Sequence, residues 1–220
     1  MGKKTDAPTL EETFEKIADS EKEIELAFGF TVANVYTLIQ NNERKKISKF
    51  VYQRFYRRYL MPFIKVTPDF NSGFAQMAAC CLMIEAMESF RNGWNDSMKD
   101  AKKPDGSRKY GSEIFEDFFV RYDDFKDFRG LGAEFYHHIR CGISHQAEAQ
   151  NGWLIERKGD LDNVANRTIN STRFRKRMRK CLQAYCSELG ATETDNDIWG
   201  NFKTKMAYVI QNCHAGEIKL

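Results

Sequence analysis

The amino-acid sequence predicts a mainly α-helical bundle with one short β-hairpin. Apolar residues recur every three or four positions over most of the 220 residues, which is the period of an amphipathic helix. Residues 74–90 are apolar on nearly all sides, as expected of a helix at the centre of a bundle. Only the stretch from 152 to 170 changes to a pattern typical of strands, and it is predicted to form the hairpin.

Helix boundaries are marked by capping and turn residues. Thr9 and Glu12 have the spacing of a capping box, so a helix is predicted to begin there. Further helices are predicted over 23–40 and 45–61, the first of them ending at two asparagines. After the central apolar stretch come a polar loop and then more helical patterns. These lie at 95–108 for the loop, and at 112–128, 135–143, 170–189 and 198–213 for the helices.

Composition indicates one domain that is large enough to bury a sizeable core. Hydrophobic residues make up 42% of the chain, and it contains 17 phenylalanines, so disorder is not expected. We predict a single domain over 1–220, with a core at about 43–190 and helical extensions at both ends. The net charge of +3 is mild and does not by itself indicate a nucleic-acid partner.

The sequence favours a cytoplasmic protein without a metal or cofactor. No apolar run approaches the ~20 residues that span a bilayer, and the N-terminal stretch lacks the apolar segment of a secretory signal. The six cysteines include no C-x-x-C pair, which argues against a metal site. Buried free thiols are the simplest interpretation.

A candidate active site lies within residues 134–155. Three of the four histidines, His137, His138 and His145, occur here around Arg140. An arginine fork can hold two phosphate oxygens, and a histidine can move a proton near neutral pH. The pattern therefore indicates phosphodiester chemistry. On a regular helix Arg140 and His145 would point about 140° apart, so either the helix loosens at Gly142 or each residue serves a different part of one cleft.

The motif Arg140-x4-His145 resembles the signature of the HEPN superfamily of helical-bundle proteins. Its lead-in FYHHIR, the small-residue segment RCGISH and the earlier apolar helix extend the resemblance over roughly 74–155. The family usually has a polar residue after the arginine, and here that residue is Cys141.

The resemblance implies an HEPN-like, metal-independent endoribonuclease that acts as a homodimer. In that reading Arg140 binds and stabilises the scissile phosphate, and His145 handles a proton as the RNA 2′-hydroxyl attacks. It also implies a toxin or phage-defence role, with an antitoxin or regulatory protein as a possible partner.

Two other functions remain open from the sequence. One is a non-catalytic HEPN-like module that binds a nucleotide, a nucleic acid or a protein. The other is a structural bundle, in which Arg140 pairs with an acid such as Glu85 and His145 hydrogen-bonds the loop that leads to Trp153. An enzyme requires Arg140 and His145 to be exposed in one cleft, whereas a structural bundle would hide both.

Two basic runs are candidates for RNA contact. The first puts six cations on one predicted helix: Arg173, Arg175, Lys176, Arg177, Arg179 and Lys180. The second, over 43–58, interleaves cations with tyrosines, a combination that suits phosphates and unstacked bases. Acidic residues between 116 and 127 are expected to form ion pairs with these cations, either within the bundle or across a dimer.

Overall fold

A computed structural model describes residues 7–64, 72–159, 163–191 and 197–214. Helices dominate it, which confirms the mainly α-helical fold class. The α-helices are α1 (Leu10–Lys16), α2 (Asp19–Lys22), α3 (Val32–Gln40), α4 (Arg44–Phe55), α5 (Gly73–Asn92), α6 (Ser97–Asp100), α7 (Gly111–Arg121), α8 (Gly132–Phe135), α9 (Gly142–Gln146), α10 (Ser171–Gly190) and α11 (Asp197–Gln211). The strands are β1 (Glu25–Ala27), β2 (Phe30–Thr31), β3 (Leu154–Glu156) and β4 (Thr168–Asn170).

Tighter and wider helical turns connect several of these elements. π-helical turns lie at Tyr56–Leu60 and Tyr136–Cys141. 3₁₀ turns lie at Met61–Phe63, Asp123–Phe128 and Val164–Asn166. The loop predicted at 95–108 contains the short helix α6, because Asp96 caps it by accepting a hydrogen bond from the Met98 amide at 2.8 Å.

The described residues divide into two compact units. The first is drawn from Met1–Arg54, Ser89–Asn95 and Cys186–Leu220, and the second from Phe55–Glu88 and Asp96–Tyr185. The single domain with a core at about 43–190 stays a prediction.

In the first unit, α1 begins at the predicted capping box and packs against α11. The Thr9 hydroxyl accepts from the Glu12 amide at 3.2 Å, and the Glu12 carboxylate accepts from the Thr9 amide at 3.4 Å. The inward face of α11 carries Trp199, Phe202 and Met206. This face belongs to the hydrophobic core of the unit.

The helix predicted over 23–40 is wrong in its first half, where the antiparallel hairpin β1–β2 forms instead. Gly29 adopts a φ of +74° and lets the chain reverse between the strands. Leu26 and Ala27 are both buried, and the pairing register is irregular between Glu25 and Ala27. Helix α3 then begins after its N-cap residue Thr31, whose hydroxyl accepts a hydrogen bond from the Asn34 amide at 3.3 Å.

The hairpin predicted between 152 and 170 is also corrected. Strands do form there as β3 and β4, but they pair in parallel, with Ile155 opposite Ile169. The connecting segment includes the 3₁₀ turn Val164–Asn166 and the left-handed residue Arg167, which turn the chain back to its original direction. Residues 160–162, part of the predicted hairpin turn, lie outside the described residues.

The second unit has a core built largely from phenylalanine rings. Seven fully buried rings form one cluster, and neighbouring ring centroids in it lie between 4.7 and 6.2 Å apart, the range of favourable aromatic packing. They are Phe115, Phe118, Phe119, Phe125, Phe128, Phe135 and Phe174. Residues from α7, the following 3₁₀ turn, α8 and α10 thus share one apolar centre.

Helix α5 contributes buried apolar residues to the core, among them Met77, Cys80, Met83 and Ile84. Phe74 and Leu82 are exposed, so the helix is not buried on all sides as the sequence predicts. Neither α5 nor any other helix in the described ranges is long and apolar enough to cross a membrane.

Thiol reactivity tests this core. Burial raises the pKa of the Cys80 and Cys186 thiols to about 12, and it also raises the pKa of Cys81 and Cys181. At pH 8 we expect a disulfide reagent such as DTNB to label the half-buried Cys141 and Cys213 well before these four, because their thiols are more accessible, although burial also raises the pKa of Cys213.

All six cysteines should react once the chain is unfolded in guanidinium. Because unfolded cysteine ionises near pH 8.5, the contribution of these buried thiols to stability is complete below that pH. It is then lost as the pH rises toward 12. Rapid labelling of all six thiols in the folded protein at pH 8 would contradict the buried core.

Candidate active site

Arg140 and His145 lie on one helical run that changes its type between them. The run begins with α8, continues as the π-helical turn Tyr136–Cys141 and resumes as α9 at Gly142. Arg140 is in the π turn, and His145 is near the end of α9. The loosening expected at Gly142 therefore occurs just before it. Single π-helical turns within helices are frequent at functional sites.

The guanidinium of Arg140 is held by Glu85 of α5. Arg140 Nε lies 2.7 Å from Glu85 Oε1, and Nη2 lies 3.3 Å from Oε2. Both side chains are largely buried, with exposed fractions of 18% and 14%. The hydrogen bond to Glu85 raises the pKa of Arg140, so the arginine stays charged.

One edge of this guanidinium remains available. Glu85 occupies the edge formed by Nε and Nη2, while Nη1 makes no hydrogen bond to any described residue. The Tyr136 ring lies beside the group, with its centroid 5.7 Å from Cζ. The carboxylate and the ring therefore fix the plane of the guanidinium and leave its Nη1 edge able to bind a second anion. The negative charge of Glu85 weakens the attraction for that anion.

His145 is exposed and makes no hydrogen bond within the described part of the chain. It does not bond the loop that leads to Trp153, as the structural-bundle alternative requires. The Trp153 indole N–H instead donates to Glu134 at 3.4 Å. That alternative is met for Arg140, which pairs with Glu85, but not for His145. His145 is exposed and Arg140 is mostly buried, and the single cleft that the enzyme interpretation requires for both residues stays a prediction.

The loop after α9 folds back against the helical run and leaves His145 exposed to solvent. Ala147 adopts a left-handed φ of 59° and ends the helix. The Gln150 amide then donates to the His138 carbonyl at 2.9 Å, which turns the loop back against the π turn. Gly142 permits this approach, because a Cβ there would lie 2.6 Å from the Glu148 carbonyl oxygen. In the sequence, the glycine between Arg140 and His145 is the one sign of this close approach.

The other two histidines of the cluster have different surroundings. His137 is exposed beside the Tyr136 ring, 5.4 Å between centroids. His138 is partly buried, with Nε2 3.8 Å from Glu134 Oε2. Neither histidine forms a hydrogen bond or an ion pair with Arg140 or His145. No group of three or more potential metal ligands occurs among the residues that the structure describes.

The six cations of the basic run on α10 differ in their surroundings. Lys180 pairs with Asp124 at 2.8 Å and Arg177 with Asp127 at 3.8 Å, so acidic residues answer these two cations within the chain. Arg175 donates to the Gln76 amide oxygen, and Arg179 lies over the Tyr56 ring. Of the remaining two, Lys176 is exposed and Arg173 is half-buried.

An open cleft of about 780 Å³ lies elsewhere in the second unit. Its walls carry charges of both signs, and Arg140 and His145 are not among its lining residues. The lining residues that matter here are Arg129, Arg167, Asp127, Glu134 and Trp153. A cleft with balanced charges does not favour a polyanion over other ligands. No residue pattern in the sequence indicated this cleft.

Comparison of the chain with family models, with curated proteins and with solved structures found no match. The relationship to the HEPN superfamily therefore stays a prediction from the motif and its helical setting.

Substitution of Gly142 tests the geometry that presents His145. In Gly142→Ala the new methyl group would press on the Glu148 carbonyl, so we expect destabilisation by about 1–3 kcal/mol, typical of overpacking. The Gln150 amide should also exchange its proton faster, because the loop is displaced from the π turn. Denaturant unfolding and amide hydrogen exchange measure the two effects.

Gly200 provides the matched control. It lies exposed on α11, and a Cβ added there would meet nothing within 4 Å. Gly200→Ala should therefore stabilise the protein by roughly 0.5–1 kcal/mol through helix propensity. Equal behaviour of the two variants would show that the loop does not pack on Gly142.

Proposed function

We propose that this chain is a metal-independent endoribonuclease of HEPN type that acts as a homodimer. The observation that carries the proposal is an arginine fixed by a carboxylate on one edge, followed on the same helical run by an exposed histidine. The first group is suited to a phosphate, and the second to a proton transfer at neutral pH. Arg140 and His145 are the residues that would perform the reaction.

Arg140 would bind non-bridging oxygens of the scissile phosphate through its Nη1 edge. As the ribose 2′-oxygen bonds to phosphorus, negative charge grows on these oxygens, and the fixed guanidinium stabilises it without having to reorient. Glu85 is then a positioning residue. Its carboxylate sets the plane of the fork, although it also offsets part of the positive charge.

His145 would move the protons. One imidazole accepts the proton of the 2′-hydroxyl, the bond from phosphorus to the 5′-oxygen breaks, and a protonated imidazole supplies the proton that this oxygen needs. In a homodimer the two copies of His145 would provide the base and the acid. The products are a 2′,3′-cyclic phosphate and a 5′-hydroxyl end.

A second candidate function is favoured by the Arg140–Glu85 pair itself. Because Glu85 offsets part of the positive charge on which stabilisation of a transition state depends, the pair favours a non-catalytic module that binds a nucleotide, a nucleic acid or a protein. Such a module would keep its ligand intact. Cleavage assays separate the two candidates.

A toxin or phage-defence role is proposed from the resemblance to the HEPN superfamily alone. The same resemblance implies an antitoxin or another regulatory protein as a proposed partner.

The direct test is cleavage of mixed cellular RNA in EDTA by purified protein. His145→Ala should lower the rate by about 10²–10⁴-fold, the usual contribution of general acid–base catalysis. Arg140→Lys should lower it by about 10²–10³-fold, since lysine keeps the charge and loses the fork. End-group analysis should find 2′,3′-cyclic phosphates.

Two control variants keep the test specific. His137→Ala removes an exposed imidazole from the same helical run and should retain wild-type activity. Arg121→Lys alters another arginine paired with a glutamate of α5, Glu88, and should change stability without changing the chemistry. Cleavage that survives His145→Ala, or that disappears in EDTA, would reject the mechanism. Intact RNA with all variants would favour the non-catalytic module.

A further inference from the structure

A pair of arginines on α10 lies beside an aromatic ring from a different basic segment. Arg175 and Arg179 are four residues apart and so share one helix face. The Arg179 guanidinium carbon lies 5.4 Å from the centre of the Tyr56 ring, and Tyr56 begins the π-helical turn Tyr56–Leu60. The fold therefore joins at one place the two basic runs that are far apart in sequence.

Arg175 differs in its electrostatic surroundings from Arg177 and Lys180. Arg177 and Lys180 pair with carboxylates, whereas Arg175 donates its Nε–H to the neutral Gln76 side chain at 3.2 Å. Burial is the main cause that lowers the pKa of Arg175; Cys80 and Tyr56 raise it, and the like charge of Arg179 lowers it. Because Arg175 is partly desolvated, an anion bound beside it would offset the cost of burying its charge.

We propose that Arg175, Arg179 and Tyr56 form a docking site for single-stranded RNA, separate from Arg140 and His145. The two guanidinium groups would hold backbone phosphate oxygens. The planar face of Arg179, already stacked on Tyr56, would accept an unstacked base. Paired bases do not offer such a face, so the site would prefer single strands to duplexes.

The docking site extends the proposed function by adding RNA contacts beyond those of Arg140 and His145. It depends on RNA being the ligand, but it does not depend on cleavage. The open cleft that contains Arg129 and Arg167 is a poorer place for an RNA backbone, because Asp127 and Glu134 contribute negative charge to its walls.

Arg179→Ala is the informative variant, because Arg179 is exposed and its removal leaves the core unchanged. Binding of a fluorescent single-stranded RNA oligonucleotide is measured by anisotropy over a range of salt. Every protein also carries His145→Ala, so that the RNA stays intact. We expect about tenfold weaker binding and a loss of about 0.7 from the slope of log affinity against log salt, the value for one phosphate contact on a single strand.

Arg108 supplies the matched control. It is exposed in the same unit, with its guanidinium carbon 5.5 Å from the Tyr110 ring centre, and it does not belong to a pair of arginines on one helix face. Arg108→Ala removes the same charge and the same stacking, and it should leave the affinity unchanged. Circular dichroism confirms that both variants fold. A duplex RNA of equal length should bind more weakly than the single strand.

Three results would overturn the docking site. They are unchanged affinity in Arg179→Ala, equal weakening in Arg179→Ala and Arg108→Ala, and equal affinity for duplex and single strand. The ribonuclease proposal fails separately. Binding that depends on Arg179, together with no cleavage by wild type, would retain the docking site and reject the nuclease. Cleavage without any effect of Arg179→Ala on binding would do the reverse.

Discussion

The ion pair between Glu85 and Arg140 is the interaction on which the rest of the second unit depends. Glu85 lies in a helix whose neighbouring residues are buried and apolar, where an unpaired carboxylate would be costly. Arg140 supplies the cation and two hydrogen bonds. Loss of Glu85 would remove the ion-pair partner of the largely buried Arg140 charge, which is worse than the absence of both.

The pair and the phenylalanine core constrain the same helical run in different ways. Phe135 and Ile139 are fully buried, and hydrophobic burial favours their contact with the core without selecting one rotation in detail. The two hydrogen bonds of Arg140 are directional and connect the π turn to α5. The loop that returns to His138 leaves His145 exposed to solvent.

The sequence predicted those features whose causes are local. The capping box at Thr9, the apolar helix α5 and the helical run through Ile139 depend on residues within a few positions of one another. The β1–β2 hairpin was missed because its apolar residues also fit a helical spacing until Gly29 reverses the chain. The parallel direction of β3 and β4 depends on the path of the segment between them, and no residue pattern specified it.

The candidate site was predictable only in its parts. Arg140 and His145 stand out through their chemistry, and Glu85 stands out as a charge in an apolar helix. Which of them meet depends on the packing of segments that are far apart in the sequence. The same limit applies to the basic run of α10. Asp124 and Asp127 each pair with one of its cations, and Tyr56 lies beside a third. Only the folded chain brings these residues together.

A double-mutant cycle on the free energy of unfolding tests the role of the Glu85–Arg140 pair most directly. It compares wild type with Glu85→Ala, Arg140→Ala and the double variant. If the pair sets the position of the helical run, the two substitutions should be coupled by about 1–3 kcal/mol, and the double variant should be more stable than the sum of the single effects implies. Effects that add to within about 0.5 kcal/mol would show that the two residues act independently and would contradict this account.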